Sequence, residues 1–224
     1  MKENPARREK GLLIMTEKLN SMSCIAFSEQ LASKAPVPGG GGAAALIGAL
    51  AAALGAMATN LTVGKKKFLC YEEDHQRILS ETERLRTRFL DLMEEDAALF
   101  EPLSRVYSMD RSDLAFAGTL RQATMDAVRA PFEMMRCACE LVALLEELRG
   151  KCSVLLLSDV GCAAVAAYAA LEAASMNVFV NTRTLPEDPE ASEIGRQASD
   201  MLTCWLPRAR ALSDDVMTVL RATK

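Results

Sequence analysis

Apolar residues recur at helical spacing along most of this chain. From about Glu72 to Ser108, Ile78, Leu85, Leu92 and Leu99 repeat every seven, and Phe89, Phe100 and Leu103 broaden the stripe into one face of a long amphipathic helix. Between Ala43 and Val63 the pattern changes. Ala45, Gly48, Ala52, Gly55 and Ala58 recur three or four apart, leaving one helix edge nearly free of side-chain bulk, while Leu46, Leu50, Leu54, Met57 and Leu61 occupy the other. A helix apolar all round must be enclosed. Shorter helices are predicted from Ser23 to Lys34, from the Asp110–Asp113 turn to about Arg129, and from Pro131 to Gly150. A second small-residue helix follows from Asp159 to about Thr184, with Ser158 as its expected N-cap, and a last one from Glu190 to Arg221 with Pro207 inside it.

The fold class predicted is all-α, a bundle of long up-and-down helices with buried Ala/Gly-rich members. Half of the 224 residues are hydrophobic and only 5% aromatic, and Ala and Leu prevail over Val, Ile and Thr. One domain is expected from residue 23 to 224, with 1–22 as a loose, charged terminus.

The stretch from Pro36 through Val37, Pro38 and Gly39–Gly42 to the helix, ending in Gly64, Lys65, Lys66 and Lys67, carries no charge between Pro36 and Gly64. Three readings are open. It has the length of a membrane span, though no second convincing span is apparent. It also reads as a core helix. The glycines could also present free N–H groups at a helix N-terminus, where partial positive charge favours a carboxylate or phosphate. No Walker lysine or GxGxxG accompanies them, so nucleotide binding is not indicated. The lysines either cap the helix dipole or receive a polyanionic tail.

A net charge of −4 without a basic stripe gives no reason to expect nucleic acid. Met1 to Lys10 lacks the apolar core of a signal peptide, so a cytoplasmic location is expected, without membrane attachment. Seven scattered cysteines read mostly as core thiols. His75, the sole histidine, sits in Tyr71-Glu72-Glu73-Asp74-His75-Gln76 and reads as a surface residue at a helix start. No metal-ligand spacing is present. Chemistry must then come from carboxylates, lysines or backbone.

Asp96 stands out among these. It falls on the core-facing stripe between Leu99 and Phe89, whereas Glu94 points away and Glu95 lies at the edge. A carboxyl group there is costly unless paired or protonated. Burial raises its pKa and makes a general acid or base near neutrality; pairing with an arginine or a helix terminus is the structural alternative. On the second small-residue helix, Asp159, Ala163, Ala166, Ala170, Ala174, Asn177 and Asn181 share one face. That face is either an ordinary core surface with local caps or a wall for a flat ligand.

Three ordered stretches carry a resemblance. Pro36-Val37-Pro38-Gly39-Gly40-Gly41 with its Ala-rich helix and Gly64-Lys65-Lys66-Lys67-Phe68, Glu94-Glu95-Asp96-Ala97 with Phe100, and Ser158-Asp159 to Asn177-Val178 and Asn181 resemble motifs of the formiminotetrahydrofolate cyclodeaminase family, which includes methenyltetrahydrofolate cyclohydrolases. The likeness runs from about Phe27 to the last helix. It implies a dimeric helical protein that binds a tetrahydrofolate derivative, possibly polyglutamylated, in a cleft between helices, with no cofactor beyond that substrate. Asp96 matches the catalytic position. Members of the family carry a further aspartate two residues earlier, where this chain has Glu94. Gly39, Gly40, Gly41, Lys65, Lys66, Asp159 and Asn177 are the expected substrate-binding residues. The implied reaction closes 5-formiminotetrahydrofolate to 5,10-methenyltetrahydrofolate with loss of ammonia; hydrolysis to 10-formyltetrahydrofolate, or folate binding without catalysis, are the alternatives.

Overall fold

The computed structural model describes residues 18–222, and seven α-helices occur among them. They are α1 (Cys24–Leu31), α2 (Gly40–Asn60), α3 (Glu72–Val106), α4 (Phe116–Ala127), α5 (Arg129–Arg149), α6 (Leu157–Thr182) and α7 (Pro189–Arg221). No strand occurs among the described residues, as the Ala/Leu bias predicts. α2 packs between α3 and α6, and α6 between α2 and α7. α5 lies across one side of this row and touches all four. Leu85, Phe89, Leu92, Met134, Leu141, Leu145 and Leu171 fill the space between and are fully buried.

The bare edge of α2 decides how closely α3 can approach. A Cβ on Gly41 would overlap the Asp96 carboxylate, one on Gly48 would overlap the Phe89 ring, and one on Gly55 would press on Leu145 and Thr82. The three glycines are seven apart, and so are the α3 residues they receive, in descending order. Two antiparallel helices therefore meet along one heptad row in which glycine is the hole and α3 supplies the knob.

Several helix ends follow their sequence signals. Ser23 Oγ accepts the Ala26 N–H at α1, and Asp188 accepts from Glu190 and Ala191 at α7, whose first residue is Pro189. Other ends differ from expectation. α2 starts at Gly40, three residues early, so Gly40, Gly41 and Gly42 form its first turn and Gly39 is the N-cap. Ser158 lies inside α6: the buried Leu156 and Leu157 draw the helix back, and Ser153 instead caps the short turn that precedes it. α5 begins at Arg129, with Pro131 in its first turn, where an N–H has no helical partner to lose. Leu19 is buried and the Asn20 N–H donates to Glu94 at 2.7 Å, so ordered packing begins ahead of residue 23. Residues 1–17 of the expected loose terminus lie outside the described residues.

Two expectations are corrected. His75 is fully buried on α3, with Nε2 2.8 Å from the Lys151 carbonyl, because the chain after α5 folds back over it. Of the cysteines, Cys137, Cys139 and Cys152 are buried, but Cys24, Cys70, Cys162 and Cys204 are exposed. Both α2 and the segment Val154–Thr182 are long and apolar enough to cross a membrane. The sequence reading identified only the first. In the bundle they form the inner antiparallel pair, buried on three sides.

Gly48→Ala tests the close approach. Helix propensity alone would stabilise by up to about 1 kcal/mol, but overpacking against Phe89 costs about 1–3 kcal/mol. Chemical denaturation should therefore show a net loss of about 1–2 kcal/mol, and a second change, Phe89→Leu, should recover part of it.

Candidate active site

At the Gly40 end of the bundle, α2, α3, α4 and α6 enclose a cleft of about 150 Å³. Pro36, Val37 and Gly39 form its rim, Gly40 and Gly41 its floor, and Asp96, Phe100, Asn177 and Asn181 its walls. Gln30 fixes the rim by donating from Nε2 to the Val37 carbonyl at 3.1 Å. A larger hollow on the outer face of α3, between Ser80 and Asp91, is lined by that one helix and is an open furrow.

Asp96 reaches the cleft because it is the last knob of the glycine row. With hydrogen in place of a side chain at Gly41, the carboxyl group sits against bare backbone. Burial pushes its pKa up to about 6, and the Gly42 N–H, which favours the carboxylate, offsets only part of that cost. The positive end of α2 thus faces the protein's own acid, which accepts the Gly42 N–H. Among the described residues, Asp96 is the only charged one lining the cleft. Its neighbours are engaged elsewhere: Glu94 holds Asn20, and Glu95 pairs with Arg88 at 2.5 Å.

Asn177 stands against α2, and a Cβ at Gly40 would lie 3.4 Å from its amide. Its Nδ2 donates to the Ala173 carbonyl at 2.9 Å, leaving Oδ1 as an acceptor at the cleft wall. Asn181, one turn on, reaches the Ala127 carbonyl at 3.5 Å and ties α6 to the end of α4.

Five of the eight expected site residues therefore meet: Gly39, Gly40, Gly41, Asp96 and Asn177. The other three do not. Lys65 and Lys66 follow the C-terminal end of α2, about 30 Å from its first turn at 1.5 Å per residue. Asp159 lies in the first turn of α6, 18 residues before Asn177 and hence about 27 Å away along the helix. They were grouped with the cleft because motif order along a chain does not record which end of a helix a motif occupies. Conversely Val37, Val180 and Ala127 line the cleft without any polar signal in the sequence.

Among known proteins, residues 23–200 match the family model described as formiminotransferase-cyclodeaminase. Methenyltetrahydrofolate cyclohydrolase of Methylorubrum extorquens is 34% identical over 200 residues, covering 88% of this chain and 94% of that protein. Formimidoyltransferase-cyclodeaminase of Rattus norvegicus is 26% identical over 194 residues, 83% of this chain but 35% of the rat protein, so this chain spans about a third of it. The crystal structure of formiminotetrahydrofolate cyclodeaminase from Thermotoga maritima superposes with a TM-score of 0.78 at 25% identity, over 89% of this chain and 99% of that one.

A carboxyl group whose pKa is raised on folding penalises the native state at every pH above that value, and the penalty disappears once both states are protonated. Asp96→Asn should thus stabilise the protein by about 1–3 kcal/mol at pH 8. The difference from the parent should shrink as pH falls through about 6 and vanish below the unfolded value near 3.8. Thermal melts of both proteins across pH 3.5–8 provide the measurement.

Proposed function

Because the chain belongs to the formiminotransferase-cyclodeaminase family, we propose that it works at the one-carbon bridge of a tetrahydrofolate, closing 5-formiminotetrahydrofolate to 5,10-methenyltetrahydrofolate with release of ammonia. The observation that carries this reading is the lone carboxyl group in the cleft, with a pKa of about 6. N10 of the folate attacks the formimino carbon and forms a tetrahedral centre bearing both folate nitrogens and an amino group. Asp96, ionised at neutral pH, accepts the N10 proton and then delivers it to the amino group. Ammonia departs as the N5–C–N10 amidinium forms, and the carboxylate is regenerated.

The substrate brings its own nucleophile, so one proton carrier and a rigid seat suffice. Positioning of this kind is worth several kcal/mol, and a placed acid–base group contributes about 10²–10⁴-fold. The apolar walls supplied by Phe100 and Val37 suit a flat ring, and Asn177 and Asn181 offer amide groups to its polar edge. A homodimer acting on a polyglutamylated folate belongs to the same reading.

A second reading is favoured by a specific observation, the end-to-end match to the Methylorubrum cyclohydrolase. There water attacks the methenyl carbon, Asp96 takes its proton, and the ring opens to the 10-formyl product. The same residue serves both reactions.

Purified protein mixed with each folate decides between them. Cyclodeaminase activity generates methenyl absorbance together with ammonia; cyclohydrolase activity removes methenyl absorbance. No change with either folate would refute the enzymatic reading, and binding alone would leave a folate-binding module. In whichever reaction proceeds, kcat/KM should fall below pH 6 as Asp96 becomes protonated, and Asp96→Asn should lose about 10²–10⁴-fold.

A further inference from the structure

Two influences act on the Asp96 carboxyl group, burial and the Gly42 N–H, and burial is the larger. Among the described residues, no titratable group faces it from the walls of the cleft. α2 presents Gly41 and Gly42, α6 presents Asn177 and Asn181, and α4 presents Ala127. On α3 itself Glu95 is paired with Arg88, and Glu94 holds the Asn20 N–H. The Gly42 N–H is fixed in the first turn of α2. Asp96 lines the cleft and keeps part of its surface exposed, so whatever covers the mouth sets how much water the carboxyl group meets.

That cover is a sparsely supported stretch of chain. Every residue from Leu31 to Pro36 is exposed, Val37 and Gly39 are half-buried, and Pro38 alone is buried, against Gly42. Pro36 and Pro38 have no N–H to give. Among the described residues, Lys34 to Pro38 take part in two hydrogen bonds. The Ala35 N–H donates to Ser33 Oγ at 3.0 Å, which is local. Gln30 Nε2 donates to the Val37 carbonyl at 3.1 Å and thereby ties the rim to α1.

The donor stands on a firm base. Ser23 caps α1, Phe27 is buried in the main core, and Gln30, three residues on, shares the face of Phe27. α1 is therefore a strut, gripped by the core at Phe27 and gripping the rim one turn later.

We propose that Gln30 is a positioning residue for the proton carrier: through the Val37 carbonyl it holds the rim across the cleft mouth and keeps bulk water from Asp96 while the site is empty. Gln30 does not itself line the cleft; it acts through Val37, which does. Once a ring occupies the cleft, the ligand excludes water and takes over this part. The inference rests on the folate reading for its kinetic consequence and on the rim geometry alone for its effect on the acid.

Two variants remove the tie. Gln30→Met keeps the length of the side chain without a donor, and Gln30→Glu, ionised at neutral pH, cannot donate either. Thermal melts at pH 8 of the parent and of each variant, with and without Asp96→Asn, test the coupling in the absence of ligand. The stability gained from Asp96→Asn in the parent should fall by about half or more in either Gln30 background, because the carboxylate there is already hydrated. A Gln30 that only packs the loop would lower the melting temperature equally with and without Asp96→Asn, and that result would overturn the proposal.

Kinetics supply a second readout, since kcat/KM reports ionisations of the free enzyme and kcat those of the complex. The acid limb of kcat/KM, near pH 6 in the parent, should move down by about one unit in both variants. The acid limb of kcat should stay in place. Displacement of both limbs together, or of neither, would refute the assigned role. A parent inactive on either folate, with the coupling in the melts intact, would sink the folate reading and leave the action of the rim on Asp96 standing.

Discussion

The structure depends on how closely α3 can lie against α2. Glycine at 41, 48 and 55 removes the side chains that would hold the two helices apart, and Asp96, Phe89 and Thr82 occupy the space. This one row links stability to chemistry. Phe89 fills its hole as a core residue, whereas Asp96, in an equivalent hole one heptad further along, brings a carboxyl group to a place where water is scarce. The raised pKa follows from the same geometry that packs the phenylalanine. Loosening the contact would readmit water and return the carboxyl group to its ordinary range.

In the proposed reaction, that coupling lets a single acid serve both proton transfers. A carboxylate with a pKa near 4 would accept a proton from N10 poorly, and a permanently protonated acid could not accept one at all. A value of about 6 keeps the group ionised at neutral pH yet ready to be protonated. The neighbouring acids do not compete, because Glu94 is tied to the Asn20 backbone and Glu95 to Arg88. The family resemblance includes an aspartate at the position of Glu94; here the longer side chain reaches the N-terminal turn and works as an anchor.

Much of this was legible in the sequence because it is periodic. Heptad spacing located α3, small-residue spacing located α2 and α6, and the angular position of Asp96 between Leu99 and Phe89 placed it on the inward face. What escaped was non-local. Nothing near His75 announces that the chain after α5 will cover it. The first turn of α2 runs through Gly40, Gly41 and Gly42, against local propensity, because close contact with α3 and α6 outweighs the roughly 1 kcal/mol each glycine costs. Ser158 is a sound N-cap by type, but two buried leucines before it override that signal.

The misplacement of Lys65, Lys66 and Asp159 has a different origin. Each motif was read correctly as to type, and α2 and α6 do lie side by side. Antiparallel packing then sorts their polar termini into two groups about 30 Å apart, glycines and asparagines at one end, lysines and aspartate at the other. Helix length thus sets how far apart two motifs of one chain come to rest, whatever their order in the sequence, because each residue between them adds about 1.5 Å along the axis.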